Sequence, residues 1–284
     1  MSVPNESIAR FSAEQSTGFL RSLMLEAGRA AESGGIEAVH DLRVAVRKFR
    51  QILKVLKRWV PREESQLLRR EMKELMTRAG EVRDRDIAVA LLRKIHVPKN
   101  RRILTEIHEQ RGASAHTLQE CVRDFRHRNT AAAWRRALTL RKPPDAPGAA
   151  DVAGSLLRGM LKDYLRRGAR AARRSASPKQ LHRFRIATKE IRYTLDIFAP
   201  LYGNAIGDLA EKLKKLQTDL GAIHDYTATG SLVEEAKSSG GRKEILRELE
   251  KRRRKKTDRF LQDYRREFQN KDAVRQWKKA LRRP

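Results

Sequence analysis

The sequence holds one cysteine, Cys121, which excludes an internal disulfide and any cysteine-based metal site. Aromatic residues make up only 6% of the chain, so the stacking platforms by which single-strand nucleic-acid binders hold bases are scarce. No run of eighteen apolar residues occurs, and the opening MSVPNESIARFS lacks a basic stretch followed by an apolar one. Neither a membrane-spanning helix nor a secretory leader is expected, and the expected location is cytoplasmic. Also missing are Gly-x-x-x-x-Gly-Lys-Ser/Thr, Gly-x-Ser-x-Gly and any carboxylate cluster free of neighbouring arginines. Phosphoryl transfer normally needs a phosphate cradle or a carboxylate-held metal, so no catalytic residue and no cofactor is expected. His108-Glu109 begins like a zinc-peptidase motif, but the fourth position after His108 is Gly112, and the histidines show no ligand spacing. The expected metal site is therefore none.

Acidic residues are scarce as well: 35 against 64 lysines and arginines, a net charge of +29. Such a surplus opposes compaction, so its use is the attraction of a polyanion. Nucleic acid, polyphosphate and an anionic membrane face all qualify. The apolar residues recur at helical spacing, which argues against wholesale disorder.

Two stretches concentrate the charge, Val39 to Lys57 and Leu181 to Phe198. Each opens on a histidine, with cations at offsets of three, seven and ten: His40, Arg43, Arg47 and Arg50, then His182, Arg185, Lys189 and Arg192. On a helix these offsets fall within an arc of roughly 80°, one continuous ridge. Leu42, Val46, Phe49, Leu53 and Leu56 oppose the first ridge; Phe184, Ile191, Leu195 and Phe198 oppose the second. Each stretch therefore reads as an amphipathic helix with its back in a core. Lys54 extends the first ridge, whereas Asp196 interrupts the second at the matching place.

Taken in order, a first helix is expected from a capping box at Ser12 to the break at Ser33-Gly34-Gly35. The first ridge helix follows, ended by Pro61, and then a helix from Arg62 to Ala79 closed by Gly80. Asp84 or Asp86 should cap a fourth helix, with later breaks near Gly112 and Asn129. Lys142-Pro-Pro-Asp-Ala-Pro-Gly is the clearest linker. The division is thus residues 1–141, a linker over 142–151, and residues 152–284. The second part repeats the order: a helix from Val152 to Arg174, the second ridge to Ala199-Pro200, and a helix from Gly203 ending at Gly221. Another helix follows, interrupted at Ser238-Ser-Gly-Gly241, and then a long charged helical region. The six cations from Lys251 to Lys256 would wrap round that helix, mostly solvated.

The repeat holds residue by residue. His40 and Arg50 match His182 and Arg192 at a separation of 142; Leu68, Met72, Lys73, Leu75, Gly80, Val82 and Asp84 match Leu209, Leu213, Lys214, Leu216, Gly221, Ile223 and Asp225 at 141. The motifs His-x-x-Arg-Val-x-x-Arg-Lys-x-Arg and Gly-x-Val-Arg-Asp-x-Asp, with the degenerate His-x-x-Arg-Ile-x-x-Lys-x-x-Arg-Tyr and Gly-x-Ile-His-Asp, resemble the CHAD domain, the conserved histidine α-helical domain. The resemblance runs over essentially the whole chain.

It implies an all-α fold of two pseudo-symmetric helical bundles around a basic central channel, and binding of inorganic polyphosphate, for some members on polyphosphate granules. Carried over by position, the channel-lining residues are His40, Arg43, Arg47, Arg50, His182, Arg185, Lys189 and Arg192. Lys54, Lys73 and Lys214 are added as phosphate-binding candidates from the ridge and the repeat. No N-terminal catalytic domain of the kind many relatives carry is expected, so the chain reads as a stand-alone module. Arg suits a phosphate polymer because its planar fork donates two hydrogen bonds to one phosphate, while Lys supplies a compact charge. The expected partner is polyphosphate, with no membrane and no identifiable protein partner; the alternative is sequence-independent nucleic-acid binding. Only Tyr193 lies beside a ridge where it could stack on a base.

Overall fold

The computed structural model describes residues 6–95, 101–128, 130–140 and 146–282. Among the described residues the chain is all-α, without a strand. The helices are α1 (Ile8–Ser33), α2 (Ile36–Val55), α3 (Arg62–Arg93), α4 (Arg101–His127), α5 (Thr130–Leu140), α6 (Ala149–Ala171), α7 (Pro178–Tyr202), α8 (Gly207–Glu235), α9 (Arg242–Phe268) and α10 (Lys271–Ala280), with a 3-10 turn over Gly203–Ile206. They form two compact units: Ala13–Lys142 with Asp225–Arg253, and Pro143–His224 with Met1–Ser12 and Arg254–Pro284. Residues 225–253 thus pack with α2 to α5 although they follow the 142–151 segment in sequence.

In the unit that holds α2, the apolar back of the first ridge is fully buried. Leu42, Phe49, Leu53 and Leu56 have no exposed surface and Val46 almost none. Burying each such side chain contributes about 1.5–3 kcal/mol, enough to fix which face of α2 stays outside. Phe49 meets the Trp134 ring edge-on at 5.7 Å. Ala88, Leu92, Ile103, Ile107, Val233, Ile245 and Leu249 form one apolar cluster, which holds residues 225–253 in this unit. Glu106 of α4 accepts the backbone N–H groups of Lys237 (2.9 Å) and Ser238 (3.2 Å), pinning the turn before α9.

In the unit that holds α7, Ser177 and Gln180 close a reciprocal capping box ahead of Pro178, so α7 has a sharply set start. A ladder of rings follows: Tyr164 stacks on Phe184 at 4.8 Å, Phe184 meets Tyr264 at 5.6 Å, and Tyr264 stacks on Phe268 at 5.5 Å. Gly168 admits this ladder, because a Cβ there would fall 2.3 Å from the Tyr264 hydroxyl oxygen. Residues 6–8 join this unit through two backbone bonds, Ile8 N–H to Pro147 (2.9 Å) and Ala149 N–H to Glu6 (2.8 Å).

Several expected breaks are not there. α1 begins at Ile8, and Ser12 lies inside it, buried, its hydroxyl donating to the Ile8 carbonyl at 2.6 Å. α3 runs through Gly80, so Asp84 and Asp86 are mid-helix residues rather than caps. α4 runs through Gly112 and α8 through Gly221. A glycine inside a helix costs only about 1 kcal/mol, less than the burial of Leu75, Ala79, Val82, Ala88 and Leu92 on both sides of Gly80 secures. Asn129, expected at a break, and residues 142–145 of the linker lie outside the described residues; α4 ends at His127 and α5 begins at Thr130. The expected ends at Ser33-Gly34-Gly35 and Ser238 to Gly241 hold, with Gly34 and Gly241 at positive φ (56° and 72°).

Candidate functional site

The first ridge lies along the outer face of α2. His40, Arg50 and Lys54 are exposed, and Arg43 and Arg47 half-buried. Glu37 in the first turn and Lys54 in the last complement the helix dipole. Arg43 reaches across to α3, where its Nη1 donates to the Met76 carbonyl at 3.3 Å. The guanidinium rests against Gly80, whose Cβ, if present, would lie 3.0 Å from Nη1. This is the reason for glycine in the middle of α3: it makes room for a ridge arginine.

α3 adds a cation that the sequence reading passed over. Arg83 stands close enough to His40 to act on its charge. The His40 imidazole is held below its ordinary titration range, first by partial desolvation and then by Arg83, Arg47 and Arg43, with Asp41 opposing. Asp41 is itself turned to Arg29, whose Nη1 lies 3.2 Å from its carboxylate. The Nε–H of Arg47 is buried and has no acceptor among the described residues. His40, Arg43, Arg47 and Arg83 therefore form a cationic cluster in which one buried donor is unsatisfied, a state that costs free energy until an acceptor arrives. Arg83 had a signal in the sequence: it follows Lys73 by ten, the offset that joins His40 to Arg50. Lys73 is exposed on α3.

The second ridge on α7 is built differently. His182 is exposed and Arg185, Lys189 and Arg192 are half-buried. The His182 ring lies 5.6 Å from that of His224 on α8, a pairing that histidine spacing along the chain does not reveal. Arg192 is held by the protein: its Nε donates to Gln217 at 2.7 Å, its Nη1 lies 3.8 Å from Asp196, and its guanidinium covers Tyr193 at 4.6 Å. Tyr193 is 3% exposed, so it has no face to offer a base, contrary to the expectation that it could stack. Lys214 is exposed on α8. Gly221, the counterpart of Gly80, has nothing within 4 Å of the Cβ position.

Several of the remaining charges are paired with one another. Asp86, buried, takes the Arg111 Nε at 2.8 Å. On α6, Asp163 pairs with Arg166 and Arg167. Within the run from Lys251 to Lys256, Arg252 pairs with Glu248 (2.7 Å) and Arg253 with Glu250 (2.6 Å), while Lys256 lies 3.7 Å from Asp219. None of the six is buried, so the run is solvated as its periodicity suggested, with ion pairs along it. Among the described residues no group of three potential ligands could hold a metal ion, and no helix is long and apolar enough to cross a membrane.

Comparison with known proteins adds to this geometry. The CHAD domain profile matches residues 20–234. The chain belongs to the CHAD domain family. Its fold is similar to the crystal structure of the CHAD domain from the plant Ricinus communis, at TM-score 0.71 and 20% identity over 99% of this chain and 94% of that one. It is also similar to PptA from Streptomyces chartreusis, at TM-score 0.62 and 15% identity over 94% of this chain and 99% of that one. Compared with functionally curated proteins, the chain matches none. The profile takes in both CHAD ridges, from His40 to Lys54 and from His182 to Arg192, together with Arg83 and His224.

Proposed function

We propose that the chain binds inorganic polyphosphate through its two cationic ridges, without catalysing its cleavage, and that it associates with polyphosphate granules. The observation that carries this reading is the cluster of His40, Arg43, Arg47 and Arg83, whose nearby carboxylate Asp41 is turned to Arg29 and whose buried Arg47 Nε–H has no acceptor among the described residues. Residues three or four apart on a helix rise about 4.5–6 Å, a step comparable with one or two phosphate units. A row of such cations fits a flexible string of tetrahedral anions better than it fits a discrete ligand. Membership of the CHAD family supports the same reading.

The test is binding of long-chain polyphosphate and of single-stranded DNA, matched in total charge, to the wild type and to Arg43→Glu/Arg47→Glu/Arg185→Glu across a salt series. Both ligands weaken with salt, since displaced counterions make log K fall by about 0.7 per neutralised charge for each tenfold rise in salt on single strands. Polyphosphate bound far more tightly than DNA, with the preference lost in the triple variant, supports the proposal. Equal affinities that ignore the substitutions would assign binding to general surface charge and favour the nucleic-acid reading. Release of phosphate from polyphosphate by the purified chain, abolished by Arg47→Ala, would overturn the non-catalytic part.

A further inference from the structure

The two ridges share a position that they fill differently. Arg83 precedes Asp84 as His224 precedes Asp225, so at the repeat separation of 141 His224 stands where the first unit has Arg83. Both positions face the histidine that opens the ridge. Arg83 acts on the charge of His40, and the His224 ring lies 5.6 Å from that of His182, tilted by 48°. The first unit thus sets a permanent cation beside its histidine. The second sets a group whose charge depends on pH.

Resting on the polyphosphate reading above, we propose that His224 completes the second ridge as a ligand residue, and that with His182 it forms a proton-gated phosphate grip. A polyanion laid across the two rings favours the imidazolium form of each, so each imidazole takes a proton from solvent as phosphate oxygens arrive. Proton uptake on binding means that affinity rises as pH falls.

The charges around the pair favour this sense. Arg185 and Lys189 follow His182 on α7. The α8 acids nearest His224 along the helix are Asp225, beside it, and Asp219, which α9 answers with Lys256 and Arg259 at 3.7 and 4.0 Å. α6 meets α7 through Tyr164, which accepts from Thr188, and Asp163, beside Tyr164, is paired with Arg166 and Arg167.

The experiment measures binding of long-chain polyphosphate, which has few titrating chain ends, to the full chain between pH 8 and pH 5 at fixed salt. Wild type, His224→Gln, His224→Arg and His40→Gln are compared, and the slope of log K against pH counts the protons taken up, about tenfold in affinity per pH unit for each. Expected are a wild type that tightens on acidification, a shallower slope for His224→Gln, and for His224→Arg a shallower slope with tighter binding at pH 8. Equal slopes for wild type and His224→Gln would overturn the grip while leaving polyphosphate binding in place. No binding by the wild type at any pH would instead reject the polyphosphate reading, and the grip with it. Should the variants fold poorly, ring-proton NMR titration of the wild type decides: His224 titrating at higher pH with polyphosphate present supports the grip, and an unmoved titration overturns it.

Discussion

The ridges on α2 and α7 carry the same motif and differ in what surrounds it. On α2 the arginines reach outward or across to α3: Arg43 rests over Gly80, Arg83 joins the cluster, and Arg50 and Lys54 are exposed. On α7 the last arginine is folded back onto Gln217, Asp196 and the ring of Tyr193. A motif in sequence counts cations; only packing shows what each of them is set against. The α2 ridge should therefore carry more of the polyanion affinity than the α7 ridge, although their charge patterns are nearly equal.

The largest expected effect breaks that comparison directly. Arg43→Glu/Arg47→Glu removes two charge-assisted donors, each contributing about 1.5–3 kcal/mol, and should weaken polyphosphate binding by roughly a hundredfold or more on that basis. Lys189→Glu/Arg192→Glu on α7, the counterparts of Arg47 and Arg50, should cost clearly less, because Arg192 already has acceptors within the protein. Titration calorimetry at one salt concentration compares the two. Equal losses would show that the Gln217 and Asp196 contacts yield to the ligand and that both ridges work alike.

The ridges themselves were legible in the sequence because a 3.6-residue period translates directly into a face. The apolar backs follow the same rule: Leu42, Val46, Phe49 and Leu53 are buried as their spacing required. What the sequence could not convey were relations between residues far apart along the chain. Gly80 reads locally as a helix end, and only the Arg43 guanidinium lying against it explains why it sits inside a continuous α3. Gly168 has the same logic with the Tyr264 ring. His182 and His224 have no ligand-like spacing, yet α7 and α8 bring their rings together. Tyr193 looked available to bases because it is next to the ridge, but the pitch of α7 buries it beneath Arg192.

A smaller effect sharpens the contrast between the two mid-helix glycines. Gly221→Ala enters open space and should stabilise the chain by about 0.5–1 kcal/mol through backbone entropy. Gly80→Ala brings a methyl to 3.0 Å from Arg43 Nη1, so the guanidinium must shift away from the Met76 carbonyl. Its stability gain should be smaller than that of Gly221→Ala or reversed, and polyphosphate affinity should fall several-fold. Urea denaturation and the binding assay read the two consequences separately. A Gly80→Ala variant that gains as much as Gly221→Ala, with unchanged affinity, would remove the account of α3 given above.

The smallest expected effect concerns His40 and separates the empty ridge from the loaded one. Desolvation together with Arg83, Arg47 and Arg43 depresses its folded-state titration below that of the unfolded chain. The unfolded chain therefore binds the extra proton first as pH falls, near the ordinary imidazole value of about 6.5. The stability contribution of neutral His40 is present above that value and is lost as pH falls through the lower folded-state value. Without ligand, His40→Gln should accordingly lose less stability than wild type between pH 7.5 and pH 5, as urea midpoints would show. With saturating polyphosphate the sign reverses. Imidazolium is then stabilised by phosphate, the folded complex takes the proton first, and wild type should gain over His40→Gln on acidification. Both halves follow from one electrostatic fact: the charge that Arg83, Arg47 and Arg43 oppose in the empty ridge is the charge that a bound polyanion favours.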